Sequence, residues 1–232
     1  MFRLVLSIIY LFKDKLVLLF YKLLSFAPIS KNIRTDHLEH NSNAWNSYKK
    51  MYPADKYIEH QTALSELYYG RKYTADYNSC EVIAVYNALI ALGKKYDFPL
   101  LLESFEKKGI SFYGAFGTSP YAIIKYLLAL GYSIELCNYN KWRKMCLDDT
   151  YSKDSYEKFS NRNETFIYMS YNNDRSLRDM IHTMCITKDG KHFQTHNDYE
   201  GSKCYPSLKA AVNEYKNGKS RMILIIGISN KI

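Results

Sequence analysis

Cys80 stands between a polar lead, Asp76, Asn78 and Ser79, and a long apolar run that closes at Gly93. Val82, Ile83, Val85, Tyr86, Leu89, Ile90 and Leu92 recur with helical spacing. The run therefore predicts a helix with Cys80 in its first turn and Gly93 at the left-handed position beyond its end. Asp, Asn and Ser cap helix starts because their short side chains accept bonds from the first free backbone N–H groups. A cysteine placed there gains from the positive end of the helix dipole, which favours the thiolate that a sulfur nucleophile requires. The outward N–H groups suit an oxyanion. The competing role for Cys80 is a small buried thiol that only fills the core.

A sulfur nucleophile needs a base. ETFIYMSYNN (164–173) has the composition of a buried strand, and MIHTMCITKDGKHFQTHND (180–198) that of a hairpin. A turn centred between Asp189 and Gly190 pairs His182 with Asn197 across the two strands. A side chain in that position fixes an imidazole tautomer. His196 and Asp198 flank the same place, and a shift of register by one residue substitutes either of them for Asn197.

NSCEVIAVYNALIALG (78–93) resembles the helix-opening motif PNGCEVTSLAMLLNYLG of the papain-like cysteine peptidases of peptidase family thirty-nine, the group around bacteriocin leader peptidases. SFYGAFGTSPYAIIKYLLALGY (111–132) is similar to the family's glycine-containing loop and following helix, and the strand TFIYMSY then precedes a segment of the His, hairpin, Asn or Asp type. The resemblance covers roughly residues 70 to 200. It implies an α+β, papain-like fold in which the nucleophile helix packs on an antiparallel sheet. It also implies a cysteine peptidase with Cys80 as nucleophile, His182 as base and acid, and Asn197 as orienter, acting on a peptide or protein through a thioester.

Two departures stand out. Ser79 occupies the place of the family's Gly, and the stretch GRKYTADYNSC lacks the upstream Gln that serves as oxyanion donor in papain-like enzymes. Loss of such a donor costs about 10² to 10³ in rate. Asn78 is the nearest amide able to replace it, with helix capping as its other role, and Gln61 stands too far upstream to be assigned. Two further functions therefore stay open: a catalytically inactive peptide-binding module, and another amide hydrolase or acyltransferase on the same scaffold. Gly114 and Gly117 fit either a cleft wall or simple turn geometry.

The remainder must position these residues. Residues 1–28 predict an amphipathic helix: Arg3, Ser7, Asp14, Lys15, Lys22 and Ser25 share one sector, opposite Ile8, Ile9, Phe12, Leu16, Leu19, Phe20 and Leu23. Lys13, Asp14 and Lys15 interrupt it too early for a comfortable bilayer crossing. It reads first as an interfacial anchor and second as a helix docked on the protein or a partner, ending at Pro28. Residues 29–60 are polar with no strong period and read as a linker and lead-in, with short helical pieces around 45–51 and 58–69. The peptidase-like domain takes 61–232, closing on a helix in SLKAAVNEYKNG and a buried strand in RMILIIGI.

Lys and Arg number 32 against 23 acidic residues, a net charge of +9. An anionic membrane surface through residues 1–28 is the partner this favours besides substrate; zinc-finger spacing and RNA-binding aromatic motifs are missing, so nucleic acid is not expected. Five cysteines without a CxxC pair argue against a disulfide framework and structural zinc. His37, His40 and His60 lack metalloprotease spacing and receive no role. No metal or cofactor is expected. The expected location is the cytoplasm, with membrane association and export both left open.

Overall fold

The computed structural model describes residues 13–23, 28–53, 56–147, 153–172, 181–198, 201–214 and 221–230. The elements are α1 (13–23), α2 (Lys31–Tyr48), α3 (Ala75–Asn78), α4 (Cys80–Ala91), α5 (Phe98–Lys107), α6 (Pro120–Ala129), β1 (Ser133–Asn138), α7 (Tyr139–Leu147), α8 (Lys153–Arg162), β2 (Thr165–Tyr171), β3 (Ile181–Asp189), β4 (His192–His196), β5 (Cys204–Tyr205), α9 (Leu208–Glu214) and β6 (Arg221–Ser229). The fold is α+β. Its six strands form one sheet in the order β1-β6-β2-β3-β4-β5, with every neighbouring pair antiparallel.

Period-two alternation in β2 explains the layering. All seven residues of β2 are buried. Ile167, Met169 and Tyr171 join the core under α4, whereas Phe166 and Tyr168 join a second core with Trp142, Met145, Phe159 and Leu208 from α7, α8 and α9. Both faces of the sheet are thus covered, and a strand covered on both faces reads as a continuous apolar run.

The helix expected to open at Cys80 is present. Every residue of α4 from Cys80 to Leu89 is buried, because the helix runs between the sheet and α5 and α6. It stops at Gly93, whose N–H meets the Ile90 carbonyl and whose φ of 74° turns the next N–H, that of Lys94, onto the Leu89 carbonyl. Asp97 caps α5 through a bond from the Leu100 N–H, with Pro99 in the first turn where a missing N–H costs nothing.

The stretch expected as linker contains the 18-residue helix α2. Only Asn41 and Trp45 of α2 are buried, so its apolar period is too sparse to see in the sequence. Polar contacts hold it instead. Arg34 Nε lies 3.0 Å from Glu103 Oε1 and His37 Nδ1 lies 2.8 Å from Glu106 Oε1, both on α5. The Asn41 amide meets both backbone groups of Tyr68. Between 58 and 69 only a single 3₁₀ turn, Gln61–Ala63, appears.

The hairpin register also differs from expectation. Asp189 pairs with His192, so the loop is Gly190–Lys191 and the pairing runs Cys185 to His196. Gly190 takes φ 58°, the left-handed value that a two-residue hairpin loop demands at its first position. The turn lies one residue later than Asp189–Gly190, which removes His182 and Asn197 from direct opposition.

In the N-terminal segment Arg3, Ser7, Ile8, Ile9, Phe12 and Ser25 lie outside the described residues. Within α1 the docked side is the unexpected one. Asp14 bonds to Arg221 at 2.6 and 2.9 Å and accepts from the Tyr171 hydroxyl at 3.1 Å, while Tyr21 is buried and Val17 and Leu18 pack on the core. No helix among the described residues is long and apolar enough to cross a membrane.

Candidate active site

Cys80 opens α4, as its spacing implied. The capping that accompanies it differs: Ser79 is the N-cap but makes no side-chain cap bond, and its hydroxyl donates to the Ala75 carbonyl instead. The reason is that α3 runs directly into α4, so the chain reaches Cys80 already wound, with Ser79 N–H bonded to Ala75 O. The Cys80 sulfur lies 3.9 Å from the Ile181 carbonyl oxygen and accepts from the Thr183 N–H. It therefore rests against the main chain on both sides of His182.

Cys80, His182 and Asn197 line one cleft of about 470 Å³, together with Asn78 and Gln61. His182 is buried at the start of β3, and its Nε2 lies 2.9 Å from the main-chain oxygen of Asn197. A carbonyl only accepts, so Nε2 carries the proton and Nδ1 holds the lone pair of the neutral ring. Asn197 turns its carbonyl there by adopting φ 60° just past the end of β4. Asn tolerates that left-handed conformation better than most residues.

The Asn197 side chain has other work. Its Oδ1 accepts the Gln61 N–H at 3.0 Å, and its main-chain N–H donates to Glu59 Oε2 at 3.1 Å. Glu59 Oε1 is 2.6 Å from Nδ1 of the buried His196, whose Nε2 meets Thr187 Oγ1 at 2.9 Å. Burial acts to raise the Glu59 carboxyl, but bonds from His196, Ser202 and Asn197 outweigh it and hold the group below its usual range. His196, one of the two flanking candidates, thus supports the loop. Asp198, the other, also lines the cleft and accepts from the Thr195 hydroxyl at 3.4 Å.

Asn78 and Gln61 both lie at the cleft with their amides engaged. Asn78 Nδ2 donates to the carbonyls of Tyr69 and Gly114, tying the lead-in of α4 to the loop 111–117. Gln61 Nε2 donates to the carbonyls of Ala75 at 3.2 Å and Asp76 at 2.9 Å. Gln61 thereby fastens the turn bearing Cys80 to the loop bearing Asn197. Its distance along the chain concealed it, since only the tertiary fold brings the two segments together.

Electrostatics depart from the expectation of an ionised thiol. Burial pushes the Cys80 thiol well up, and the Glu81 carboxylate adds to this; the Thr183 N–H works the other way without prevailing. A helix dipole is worth about 0.3–1 kcal/mol. Burying a group shifts its pKa by up to about 3–5 units, each unit being about 1.4 kcal/mol, so desolvation wins. Burial also lowers His182 to about 4, partly opposed by its bond to Asn197. The resting pair is a neutral thiol and a neutral imidazole.

Glu81 follows Cys80 directly, is itself buried, and hydrogen-bonds the thiol. Burial raises its carboxyl to about 7, against the bonds it receives. Its carboxylate occupies the space beside Gly117, where a Cβ would lie 2.7 Å from Glu81 Oε2. Gly117, at φ 61°, is thus needed both for its backbone angle and for its missing side chain, and it lines the cleft. Gly114 packs its Cα against Gly70 instead. Tyr21 of α1 completes one wall. Among the described residues no group of three or more His, Cys, Asp or Glu side chains is placed to hold a metal ion.

No family model matches the chain, and no curated protein matches it. Among solved structures, the chain is similar to the peptidase domain of Streptococcus ComA, a bi-functional ABC transporter involved in a quorum-sensing pathway. The TM-score is 0.42 at 12% identity, over 66% of this chain and 93% of that one.

Proposed function

We propose that the protein is a cysteine peptidase of papain-like type, with Cys80 as nucleophile, His182 as base and acid, and Asn197 as the group that holds His182. What carries this reading is that a cysteine opening a buried helix and a histidine opening a distant strand line one cleft, with the second ring nitrogen of that histidine fixed by a carbonyl.

In the reaction Cys80 Sγ attacks the peptide carbonyl carbon while its proton passes to Nδ1 of His182. The C–N bond then breaks as the same proton moves to the leaving amine. Water, deprotonated by His182, attacks the thioester carbon and frees the acid, and the proton returns to sulfur. Because the pair rests uncharged, proton transfer accompanies attack rather than preceding it. Asn78 is the side chain proposed to assist the oxyanion, a role that requires its amide to leave the Tyr69 or Gly114 carbonyl.

The test is intact mass after incubation with a peptide aldehyde or other carbonyl-directed electrophile, for wild type, Cys80→Ala and His182→Ala. A single adduct on wild type that disappears in Cys80→Ala and forms much more slowly in His182→Ala is expected. An adduct that survives Cys80→Ala, or forms at the same rate without His182, defeats the assignment.

The buried neutral thiol favours one competing function, a peptide-binding module without turnover. That module binds peptide in the cleft yet shows neither adduct nor cleavage. Transfer of the acyl group to an added amine distinguishes the remaining alternative, an acyltransferase on the same scaffold.

A further inference from the structure

α1 docks through only part of its apolar surface. In water a helix with an apolar stripe turns that stripe inward, but here Asp14, Val17, Leu18 and Tyr21 face the protein while Leu16, Leu19, Phe20 and Leu23 face out. Leu16 is 49% exposed, Leu19 48%, Phe20 43% and Leu23 62%. Lys15 and Lys22 are exposed on the same helix. The bonds from Asp14 to Arg221 and Tyr171 fix this orientation.

The outward face does not end with α1. The Phe20 ring meets the Phe116 ring edge-on at 5.2 Å, Phe116 neighbours Phe112 at 6.1 Å, and Phe112 neighbours Tyr113 at 6.1 Å. Phe112 and Tyr113 are themselves exposed, and both hold left-handed backbone angles, φ 47° and 56°. Such angles are disfavoured for bulky residues and persist only where the surroundings impose them. The surroundings here are backbone bonds within 111–117 and from Arg71 N–H to Tyr113 O. Arg71 also lies over the Tyr113 ring at 5.9 Å, and Lys72 beside it is exposed. The loop SFYGAFG contains no acidic residue, and the one acid of α1 points inward to Arg221.

We infer that the outward face of α1 and the aromatic loop 111–117 together form a platform that seats the protein on an anionic lipid surface. Its make-up matches an interfacial site: leucines and aromatic rings to enter the acyl boundary, flanked by lysine and arginine for anionic headgroups. Charge complementarity selects this occupant, since Lys15, Lys22, Arg71 and Lys72 lie on or beside the apolar ridge, and neither α1 nor the loop 111–117 turns a carboxylate outward. Tyr21 and Phe116 also line the cleft, so its mouth opens beside the bound surface. Peptides held at that surface are then the ones within reach of Cys80, a consequence that rests on the peptidase reading, whereas lipid binding does not.

The experiment is co-sedimentation of the full chain with vesicles of phosphatidylcholine alone or with phosphatidylglycerol, at low and high salt. Wild type and Cys80→Ala are compared with Leu19→Ser, Leu23→Ser, Phe112→Ser, the pair Lys15→Glu and Lys22→Glu, and Leu136→Ser, an exposed leucine on β1. The expected result is salt-sensitive binding to the anionic vesicles alone, unchanged in Cys80→Ala and Leu136→Ser. It should fall about tenfold for each apolar replacement and about fivefold for each lysine. Equal binding by the platform variants, absence of binding, or equal binding to neutral vesicles overturns the inference. Self-association in sedimentation velocity that these variants abolish assigns the face to a second copy and also overturns it. A higher KM for peptide with normal vesicle binding does the same, giving the face to substrate. Should an apolar variant fail to fold, the exposed lysine pair decides the matter.

Discussion

Nε2 of His182 is held at 2.9 Å by the main-chain oxygen of Asn197, not by its side chain. The orienting bond therefore depends on the backbone angle at residue 197, and the amide serves to pin that loop to Gln61.

Asn197→Gly should consequently be the milder replacement. Glycine adopts φ 60° freely, so this variant loses chiefly the bond to Gln61, about 1 kcal/mol. Asn197→Ala adds about 1–2 kcal/mol of left-handed strain. Urea unfolding and kcat/KM on a peptide substrate should both rank wild type above Gly above Ala. An alanine variant as active as the glycine one shows that the carbonyl is not what positions the ring.

The depressed pKa of His182 governs the acid side of activity. Its neutral, competent ring persists down to about 4, so the acid limb of kcat/KM should fall near pH 4 rather than near the ordinary value of about 6.5. A limb at the ordinary histidine value contradicts this, and the profile can be recorded as labelling rate against pH.

Stability and pH connect through the neighbouring Glu81. Its folded pKa, about 7, exceeds the ordinary carboxylate value of 4.5, so the folded state binds more protons across that window and its stability falls as pH rises through it. His182 acts oppositely: lowered from 6.5 to about 4, it makes the fold lose stability as pH falls through that range. The two nearly offset in wild type. Glu81→Gln removes one of them and should expose a stability that climbs with pH between about 4 and 6.5, at up to about 1.4 kcal/mol per pH unit. Denaturant unfolding at several pH values reads this slope, and a flat profile in the variant refutes it.

Glu59 supports the same loop from behind. Glu59→Gln must set an amide against either His196 Nδ1 or the Asn197 N–H, both now served by carboxylate oxygens. A loss of about 1–3 kcal/mol is expected, with kcat falling more than KM rises because the defect lies in the base and not in substrate contacts. Unchanged kcat in a destabilised variant reduces Glu59 to a purely structural prop.

Much of the site was legible where local pattern decides. The helical period after Cys80 and the apolar composition of 165–171 specify α4 and β2 through burial alone. The register of the hairpin was not legible, because Asp189–Gly190 and Gly190–Lys191 are both acceptable loops and tertiary pairing chose the second. Helix α2 was hidden for another reason: its attachments are Arg34, His37 and Asn41, polar side chains whose partners lie on α5 and at Tyr68. Gln61 and Glu59 join the cleft only by tertiary approach, and nothing in their local sequence announces it. The thiol's charge state was misjudged because a dipole argument can be made from spacing, whereas depth of burial cannot.

Asp14 and Arg221 are separated by 207 positions along the chain. During synthesis at roughly 5–20 residues per second, α1 must wait on the order of 10 to 40 s before the strand that clasps it has been made. For that interval the helix has no seat, and whatever it meets first, bilayer or chaperone, has a head start over the protein's own sheet.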